Sequence, residues 1–208
     1  MSDQEPLPSP KQRQVLEAAS LLFMAHGYGP VSMEMVAKQA QVSKATLYAY
    51  FPSKDRLFAT IVGDACRRAS VDERSYPTEV ADIGAALHEI GARLLRFLLQ
   101  PNTMAIYRVV VAESARFPEL GLAFMAAGPQ AFLDRFTVWL GAQVAAGHLA
   151  IADVRMAAEQ FGAMLRSSHF MRATLGQTEP ADDEAGIERT VREAVATFLC
   201  RYRAAQEG

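Results

Sequence analysis

A segment near the start of the chain concentrates side chains that donate hydrogen bonds to phosphates and base edges. Ser43 is followed by Lys44 and Thr46, and Tyr48 and Tyr50 lie a few residues further on. Ser43 suits the N-cap of a helix that starts there, and the free amides of a helix N-terminus favour an anion. Hydroxyl and ammonium groups of this kind are common donors in protein–DNA contacts. The residue types therefore predict a DNA contact and no bond-making chemistry.

Two short helices joined by a tight turn must position these side chains. Ser32 is expected to cap the first helix, which runs to about Ala40, and Ser43 is expected to cap the second. Two short helices with a turn of three or four residues describe a helix-turn-helix. The same pattern also describes two short helices that pack in a core without binding DNA, so the spacing alone leaves that alternative open.

The distribution of charge favours an end that faces phosphates. The chain of 208 residues has a formal net charge of −2, yet all four of its lysines lie within the first 54 residues. Residues 10–60 hold six basic and three acidic residues. A basic end on an acidic body fits a phosphate-facing surface. Chance clustering of a few lysines is the alternative.

Composition excludes several classes of protein. The chain is 50% hydrophobic and 21% charged, which is typical of a globular protein. No apolar run reaches the ~18 residues that a membrane helix needs. The acidic, proline-rich N-terminus does not look like a signal peptide. The two cysteines, Cys66 and Cys200, form no disulfide framework or metal motif, so we expect a cytoplasmic protein.

No catalytic or cofactor motif is found in the sequence. The four histidines have no metal-ligand spacing. Ser167, Ser168 and His169 are adjacent on one predicted helix, which is the wrong arrangement for a nucleophile and its base. We therefore expect a protein that is not an enzyme and that needs no metal or cofactor.

Apolar residues recur at helical spacing along the chain, which predicts an all-α fold of about nine helices. Residues 1–8 are expected to form a disordered tail, residues 9–52 a three-helix DNA-binding domain, and residues 53–208 a larger ligand-binding and dimerisation domain. The helix over 103–116 is apolar nearly all round, so we expect it to be central and buried. The predicted helices start at Ser9, Ser32, Ser43 and Ser53 and then cover about 79–100, 103–116, 130–146, 154–175 and 181–203, with an irregular or helical piece over 118–129.

Apolar residues on the last two predicted helices indicate a dimer interface. Two such helices from each of two copies would form a four-helix bundle about a two-fold axis. The alternative is that both helices pack inside a single copy. The residues assigned to the interface are Phe161, Val191, Val195, Phe198 and Tyr202.

Aromatic residues and methionines on helices that should face one another indicate a pocket for an apolar ligand. A few polar side chains would fix the orientation of that ligand, and an ordinary hydrophobic core is the alternative. The residues assigned to this effector pocket are His88, Met104, Tyr107, Val111, Phe136, Trp139 and Met164.

The stretch from Pro10 to Phe58 resembles the DNA-binding domain of the TetR family of bacterial transcriptional regulators. The run GYGPVSMEMVAKQAQVSKATLYAYFPSKDRLF carries the resemblance, above all through Tyr48, Tyr50, Phe51, Lys54, Leu57 and Phe58. Gln41 departs from the family, which usually has glycine in this turn, and a non-glycine residue in a left-handed turn costs up to ~1 kcal/mol. Residues 86–172 are similar to the AefR-like regulators through YRVVVAESARFPELGLAFMAAGP and AAGHLAIADVRMAAEQFGAML.

The resemblance implies roles for individual residues. Ser32, Tyr50 and Lys54 would hold backbone phosphates. Lys44 would reach guanine edges, and Ala45 or Thr46 a thymine methyl group. The residues that would lie along the major groove are Ser43, Lys44, Ala45, Thr46 and Tyr48.

The resemblance also implies a homodimeric repressor. It would bind a palindromic operator in double-stranded DNA and release it when a small, largely apolar effector enters the larger domain. Two alternatives remain open: an architectural DNA-binding protein without an effector, and an all-helical enzyme that retains the DNA-binding head as a relic.

Overall fold

The computed structural model describes residues 8–68, 76–177 and 184–204. Apart from one isolated bridge between Leu149 and Arg203, the regular secondary structure in these ranges is helical, so the predicted all-α fold is confirmed. Almost all of the predicted tail over residues 1–8 lies outside the described residues. The helices are α1 (Pro10–His26), α2 (Met33–Gln39), α3 (Lys44–Tyr50), α4 (Lys54–Arg68), α5 (Ile83–Leu99), α6 (Pro101–Glu113), α7 (Pro118–Met125), α8 (Ala131–Ala145), α9 (Val154–Leu165), α10 (Ser168–Thr174) and α11 (Glu184–Tyr202), with a π-helical turn at Ala126–Gln130.

Side-chain caps fix where helices begin. Ser9 Oγ accepts the amide of Gln12, and the Gln12 side chain accepts the amide of Ser9, which makes a capping box at the predicted start of the first helix. α5 begins at Ile83 and not at the predicted residue 79. The reason is that the Asp82 carboxylate accepts the first free amides of the helix and so sets its start.

The stretch from α6 to α8 departs from the prediction. Met104, Ile106 and Val110 bury one face of α6, but Val111 exposes 56% of its surface. The expectation that this helix is buried all round is therefore wrong. The piece between α6 and α8 is helical, and it leads into α8 without a break.

The helix predicted over 154–175 is two helices, α9 and α10. Arg166 has φ −83° and ψ 48°, which is outside the helical region and ends α9. Ser167 and Ser168 follow at once, and serine is a weak helix former because its hydroxyl competes for backbone groups. The described residues therefore contain eleven α-helices, more than the nine expected.

The described residues divide into two compact units. Unit 1 comprises the residues up to 64 together with 106–127, and unit 2 comprises 65–105 and the residues from 128 onward. The helix-turn-helix therefore shares its unit with the end of α6 and all of α7. This division differs from the expected boundary between residues 52 and 53.

An aromatic cluster forms the core of unit 1. The ring of Tyr28 lies 5.5 Å from Phe23, 5.8 Å from Phe58 and 5.5 Å from Phe117. Phe23, Tyr28 and Phe58 are almost fully buried. Phe117 precedes α7, so this core joins the helix-turn-helix to residues that follow much later in the sequence.

The core of unit 2 lies where α11 packs against α5 and α9, and where α8 packs against α9. The ring of Phe161 lies 5.3 Å from both Phe136 and Phe198. Gly91 permits a close approach, because a Cβ atom at this position would lie 3.2 Å from Phe161 and Val191.

The residues Phe161, Val191, Val195 and Phe198, which the sequence assigned to a dimer interface, contribute to the core of a single chain, so their role in an interface stays a prediction. Within a single chain these residues expose between 0% and 7% of their surface. The apolar faces of α9 and α11 exist as predicted, but they pack inside the protomer. Tyr202 is half-buried, and its hydroxyl donates to Gln160 Oε1 at 2.7 Å.

We expect Phe161→Ala to lower the free energy of unfolding by about 3–5 kcal/mol, because it leaves a cavity between α8, α9 and α11. Urea denaturation followed by circular dichroism measures this change. Val138→Ala on α8 is the matched control, since Val138 is 75% exposed and should change stability by less than about 0.5 kcal/mol. Equal effects of the two substitutions would contradict the placement of Phe161 in the core.

Candidate nucleic-acid interface

α2 and α3 are joined by a turn that contains a left-handed residue. Gln41 has a φ of 51°, as the sequence predicted for the position where glycine is usual. The amides of Gln41 and Val42 donate to the carbonyls of Lys38 and Ala37, which closes the turn. The left-handed conformation of Gln41 costs about 1 kcal/mol, and the turn nevertheless keeps both hydrogen bonds.

A serine cap and one buried leucine hold α3 in place. Ser43 Oγ accepts the amide of Thr46 at 3.0 Å and lies 2.8 Å from the Thr46 hydroxyl. Leu47 is fully buried and anchors the opposite side of the helix. The two hydroxyls therefore stabilise the start of α3 before any DNA is bound.

Lys44, Ala45 and Tyr48 are exposed on α3, and we call them the recognition face. Lys44 Nζ lies 3.1 Å from Glu34 Oε1 of α2, and this hydrogen bond lowers the pKa of the Glu34 carboxyl group. The two side chains are 64% and 52% exposed, so the ion pair is weak. Lys44 can therefore exchange Glu34 for a DNA group at little cost.

Ser32 and Tyr50 were expected to hold backbone phosphates, and both lie at the surface of unit 1. Ser32 Oγ caps α2 by accepting the amide of Met35 at 3.2 Å. Tyr50 is 36% exposed, and its ring lies 6.3 Å from that of Phe51. Both side chains are therefore placed at the surface, and their binding of DNA phosphates stays a prediction.

Lys54 is placed differently from the expected phosphate contact. Its ammonium group donates to the carbonyls of Tyr28, Gly29 and Val31, at 2.8, 3.3 and 3.0 Å. The same group lies 4.1 Å from the centre of the Tyr28 ring. Burial lowers the pKa of the Lys54 ammonium, and the carboxylate of Glu113 opposes that shift. All three N–H donors of Lys54 are thus engaged within the chain, at the turn between α1 and α2.

Glu113 binds the same turn from the end of α6. Its carboxylate oxygens accept the amides of Tyr28 and Gly29 at 2.6 and 2.7 Å. The turn is therefore held on its carbonyls by a cation and on its amides by an anion. We call Lys54 and Glu113 the turn clamp.

Two glycines make room for the turn clamp. Gly27 has a φ of 80°, and a Cβ atom there would overlap Glu113 Oε1. A Cβ atom on Gly29 would lie 3.0 Å from the ring of Phe117. No local signal in the sequence pointed to Glu113 as the acceptor for this turn.

The residues assigned to the effector pocket do not form one cluster. Phe136 and Trp139 are stacked at 5.8 Å in unit 2. Tyr107 lies against Phe124 in unit 1, where Val111 is exposed.

The other three residues assigned to the pocket are His88, Met104 and Met164, and each has a different environment. His88 is partly exposed, and its Nε2 lies 2.8 Å from Glu188 Oε1. Met104 is buried, and its sulfur accepts the hydroxyl of Thr174. Met164 is half-buried on α9.

Sequence reasoning missed Tyr76, whose ring lies 6.2 Å from Phe136 and 6.1 Å from Trp139. Its hydroxyl is buried and has no hydrogen-bond partner among the described residues. Burial also raises the pKa of Tyr76. Trp139 Nε1 donates to the carbonyl of Pro77 at 2.9 Å and so fixes the adjacent backbone.

Within the ranges described, no three His, Cys, Asp or Glu side chains come together in a way that could hold a metal ion. None of the helices in those ranges has the length and apolar character needed to cross a membrane.

Two parts of the chain match known families. Residues 15–61 match the bacterial regulatory proteins of the tetR family, and residues 85–204 match the C-terminal domain of AefR-like transcriptional repressors.

Curated relatives match over shorter stretches. The repressor KstR of Mycolicibacterium smegmatis is 38% identical over 53 residues, which cover 26% of each chain. The regulator Rv1556 of Mycobacterium tuberculosis is 29% identical over 112 residues, or 54% of this chain and 52% of the relative. The chain thus spans about half or less of the curated relatives it matches.

Solved structures match over nearly the whole chain. A TetR-family transcriptional regulator from Mesorhizobium loti is 26% identical with a TM-score of 0.80, covering 96% of this chain and 100% of that one. The flavonoid-responsive regulator FrrA is 33% identical with a TM-score of 0.76, covering 93% of this chain and 97% of its own. The chain therefore belongs to the TetR family of bacterial transcriptional regulators, with an AefR-like C-terminal domain.

Proposed function

We propose that this regulator is a repressor that binds a palindromic operator as a homodimer and releases it when a small, largely apolar effector binds. The observation that carries the DNA-binding part is the recognition face, presented on a helix that Ser43 caps and Leu47 anchors. The proposal includes no catalytic step, metal or cofactor. It places the protein in the cytoplasm, where bacterial DNA is accessible.

In this proposal α3 lies in the major groove. Lys44 donates to a guanine edge, Ala45 or Thr46 contacts a thymine methyl group, and Tyr48 completes the contact surface. Ser32 and Tyr50 bind backbone phosphates on either side. Two copies of α3 must lie roughly 34–36 Å apart to reach successive major grooves.

We expect Lys44→Ala to weaken operator binding by about 1–3 kcal/mol and to relax base preference at one position. The operator is obtained by selection from random oligonucleotides, and affinity is measured by fluorescence anisotropy over a range of salt concentrations. Arg192→Ala is the control, because it removes the same charge from an exposed site on α11. Equal losses in both variants would show that overall charge, and not α3, determines the affinity.

Dimerisation is proposed through the outer surfaces of α9 and α11, where two of the residues assigned from the sequence, Phe198 and Tyr202, border a depression. The depression that the two helices share is lined by Gln160, Ala163 and Met164 of α9 and by Thr197, Phe198, Arg201 and Tyr202 of α11. The small side chain at Ala163 allows a partner helix to approach closely. These outer surfaces stay available after the inner faces of the same helices have packed in the core.

We expect Ala163→Arg to convert the dimer into a folded monomer, because a buried unpaired charge at the interface costs several kcal/mol. Light scattering coupled to gel filtration measures the mass. Val138→Arg on α8 introduces the same charge at another exposed position and should leave the dimer intact. A dimer that survives Ala163→Arg but not Val138→Arg would move the interface to α8.

The effector is proposed to bind beside the aromatic rings of Tyr76, Phe136 and Trp139 in unit 2. A buried hydroxyl without a partner is costly, and an effector with an acceptor atom would satisfy the hydroxyl of Tyr76. The rings supply apolar contact area. Among the similar proteins, one is flavonoid-responsive and another is named the A-factor receptor protein of Streptomyces griseus, which supports a small-molecule effector.

We expect Tyr76→Phe to have two effects of opposite sign. It should raise the free energy of unfolding by about 1 kcal/mol, since it removes an unpaired buried hydroxyl, and it should weaken effector binding by about 1–3 kcal/mol. Emission from Trp139, the only tryptophan in the chain, measures binding of a flavonoid that releases operator DNA from the wild type. Linkage requires that operator DNA weakens flavonoid binding by the same factor.

Tyr107→Phe is the matched comparison, because it removes one hydroxyl from a residue that the sequence assigned to the pocket. If Tyr107→Phe weakens flavonoid binding and Tyr76→Phe does not, the pocket is the one assigned from the sequence and not the cluster in unit 2.

A further inference from the structure

We propose that Glu113 is a positioning residue for DNA binding, and that it acts through the turn between α1 and α2 without touching DNA. This inference rests on the proposed DNA-binding function of α3. It adds the end of α6 to the part of the chain that supports DNA binding, although the sequence placed that segment in the ligand-binding and dimerisation domain.

The first step of the argument is the hydrogen bonding of the turn. The amides of Tyr28 and Gly29 lie outside α1 and α2 and cannot be satisfied within a helix. Glu113 is the acceptor that both amides find, at 2.6 and 2.7 Å. Buried or half-buried amides need such partners, so loss of the carboxylate leaves two donors unsatisfied.

The second step is electrostatic. Lys54 brings a positive charge to the carbonyl side of the same turn, in a position where burial disfavours that charge. Glu113 is the first of the carboxylates that oppose this effect. Without Glu113 the ammonium group of Lys54 is less well compensated, and the three carbonyls it binds are held less firmly.

The third step connects the turn to α3. Val31 is the last of the carbonyls held by Lys54, and its side chain is 1% exposed. Ser32, the next residue, is the N-cap of α2. α2 is followed by the turn at Gln41 and then by α3, so the clamped turn sets where the helix-turn-helix starts. A loosened turn reduces the fraction of molecules whose recognition face is correctly placed, and the apparent affinity falls with that fraction.

The sign of the effect separates positioning from simple electrostatics. Removing a negative charge from a DNA-binding unit strengthens DNA binding when only the overall charge matters. A positioning role predicts the reverse, because Glu113→Gln keeps the shape of the side chain but loses the charge that accepts both amides. Glu119→Gln is the matched control, since the exposed Glu119 carboxylate on α7 also raises the pKa of Lys54, whereas the amides of Tyr28 and Gly29 donate to Glu113.

The experiment compares the full-length wild type, Glu113→Gln, Glu119→Gln and Lys44→Ala on the selected operator. We expect Glu113→Gln to weaken binding about tenfold at every salt concentration, with an unchanged salt slope because Glu113 displaces no counterions. Lys44→Ala should reduce the salt slope if Lys44 also neutralises phosphate. Glu119→Gln should bind as tightly as the wild type or slightly more tightly.

Amide hydrogen exchange on the free protein provides the second measurement. Glu113→Gln should accelerate exchange at Tyr28 and Gly29, and Glu119→Gln should not. Operator affinity that is unchanged or increased in Glu113→Gln would overturn the proposal, as would rapid exchange of both amides in the wild type. A wild type that selects no DNA would overturn the DNA-binding function itself, and the exchange data would then decide separately whether the clamp exists.

Discussion

The backbone polar groups between α1 and α2 need partners, and unit 1 is arranged around supplying them. The turn clamp provides a cation for the carbonyls of Tyr28, Gly29 and Val31, and an anion for two amides. Around it, Tyr28 stacks with Phe23 and meets Phe117 edge-on, so polar and apolar contacts converge on one turn. Because a side chain at Gly27 would displace the carboxylate, the sequence of the turn and the position of α6 depend on each other.

The same unit contains surfaces with opposite requirements. The turn clamp is half-buried and its hydrogen bonds are satisfied within the chain, whereas the recognition face carries an exposed lysine in a weak pair with Glu34. Because this ion pair is exposed and weak, the Lys44 ammonium stays hydrated, and breaking the pair to bind DNA costs little free energy. Rigid support behind a helix with an adaptable exposed surface is the arrangement that a nucleic-acid-binding helix needs.

Features encoded by neighbouring residues could be predicted from the sequence, and features encoded by distant ones could not. Ser9 and Ser43 gave correct helix starts because a cap acts within three residues. The left-handed Gln41 followed from its place in the resembled turn. Helical periodicity found an apolar face on α11, but it could not show that Phe198 packs against Phe161 within the same chain. Lys54 was assigned to a phosphate because the carbonyls that its ammonium binds lie 23 to 26 residues earlier in the chain, beyond the reach of a local pattern.

The separation of the turn from its anion has a consequence for the order of folding during translation. Tyr28 and Glu113 are 85 residues apart in the chain. Chains emerge from the ribosome N-terminus first, so α1, α2 and α3 are available well before the end of α6. The capped helices can form on the nascent chain, but the turn between α1 and α2 gains the acceptor for its amides only after Glu113 has been synthesised. With the positioning role proposed for Glu113, competence for DNA binding is acquired late in synthesis, when part of the larger domain has also been made. A chain that ends before α6 lacks the carboxylate that accepts the amides of Tyr28 and Gly29.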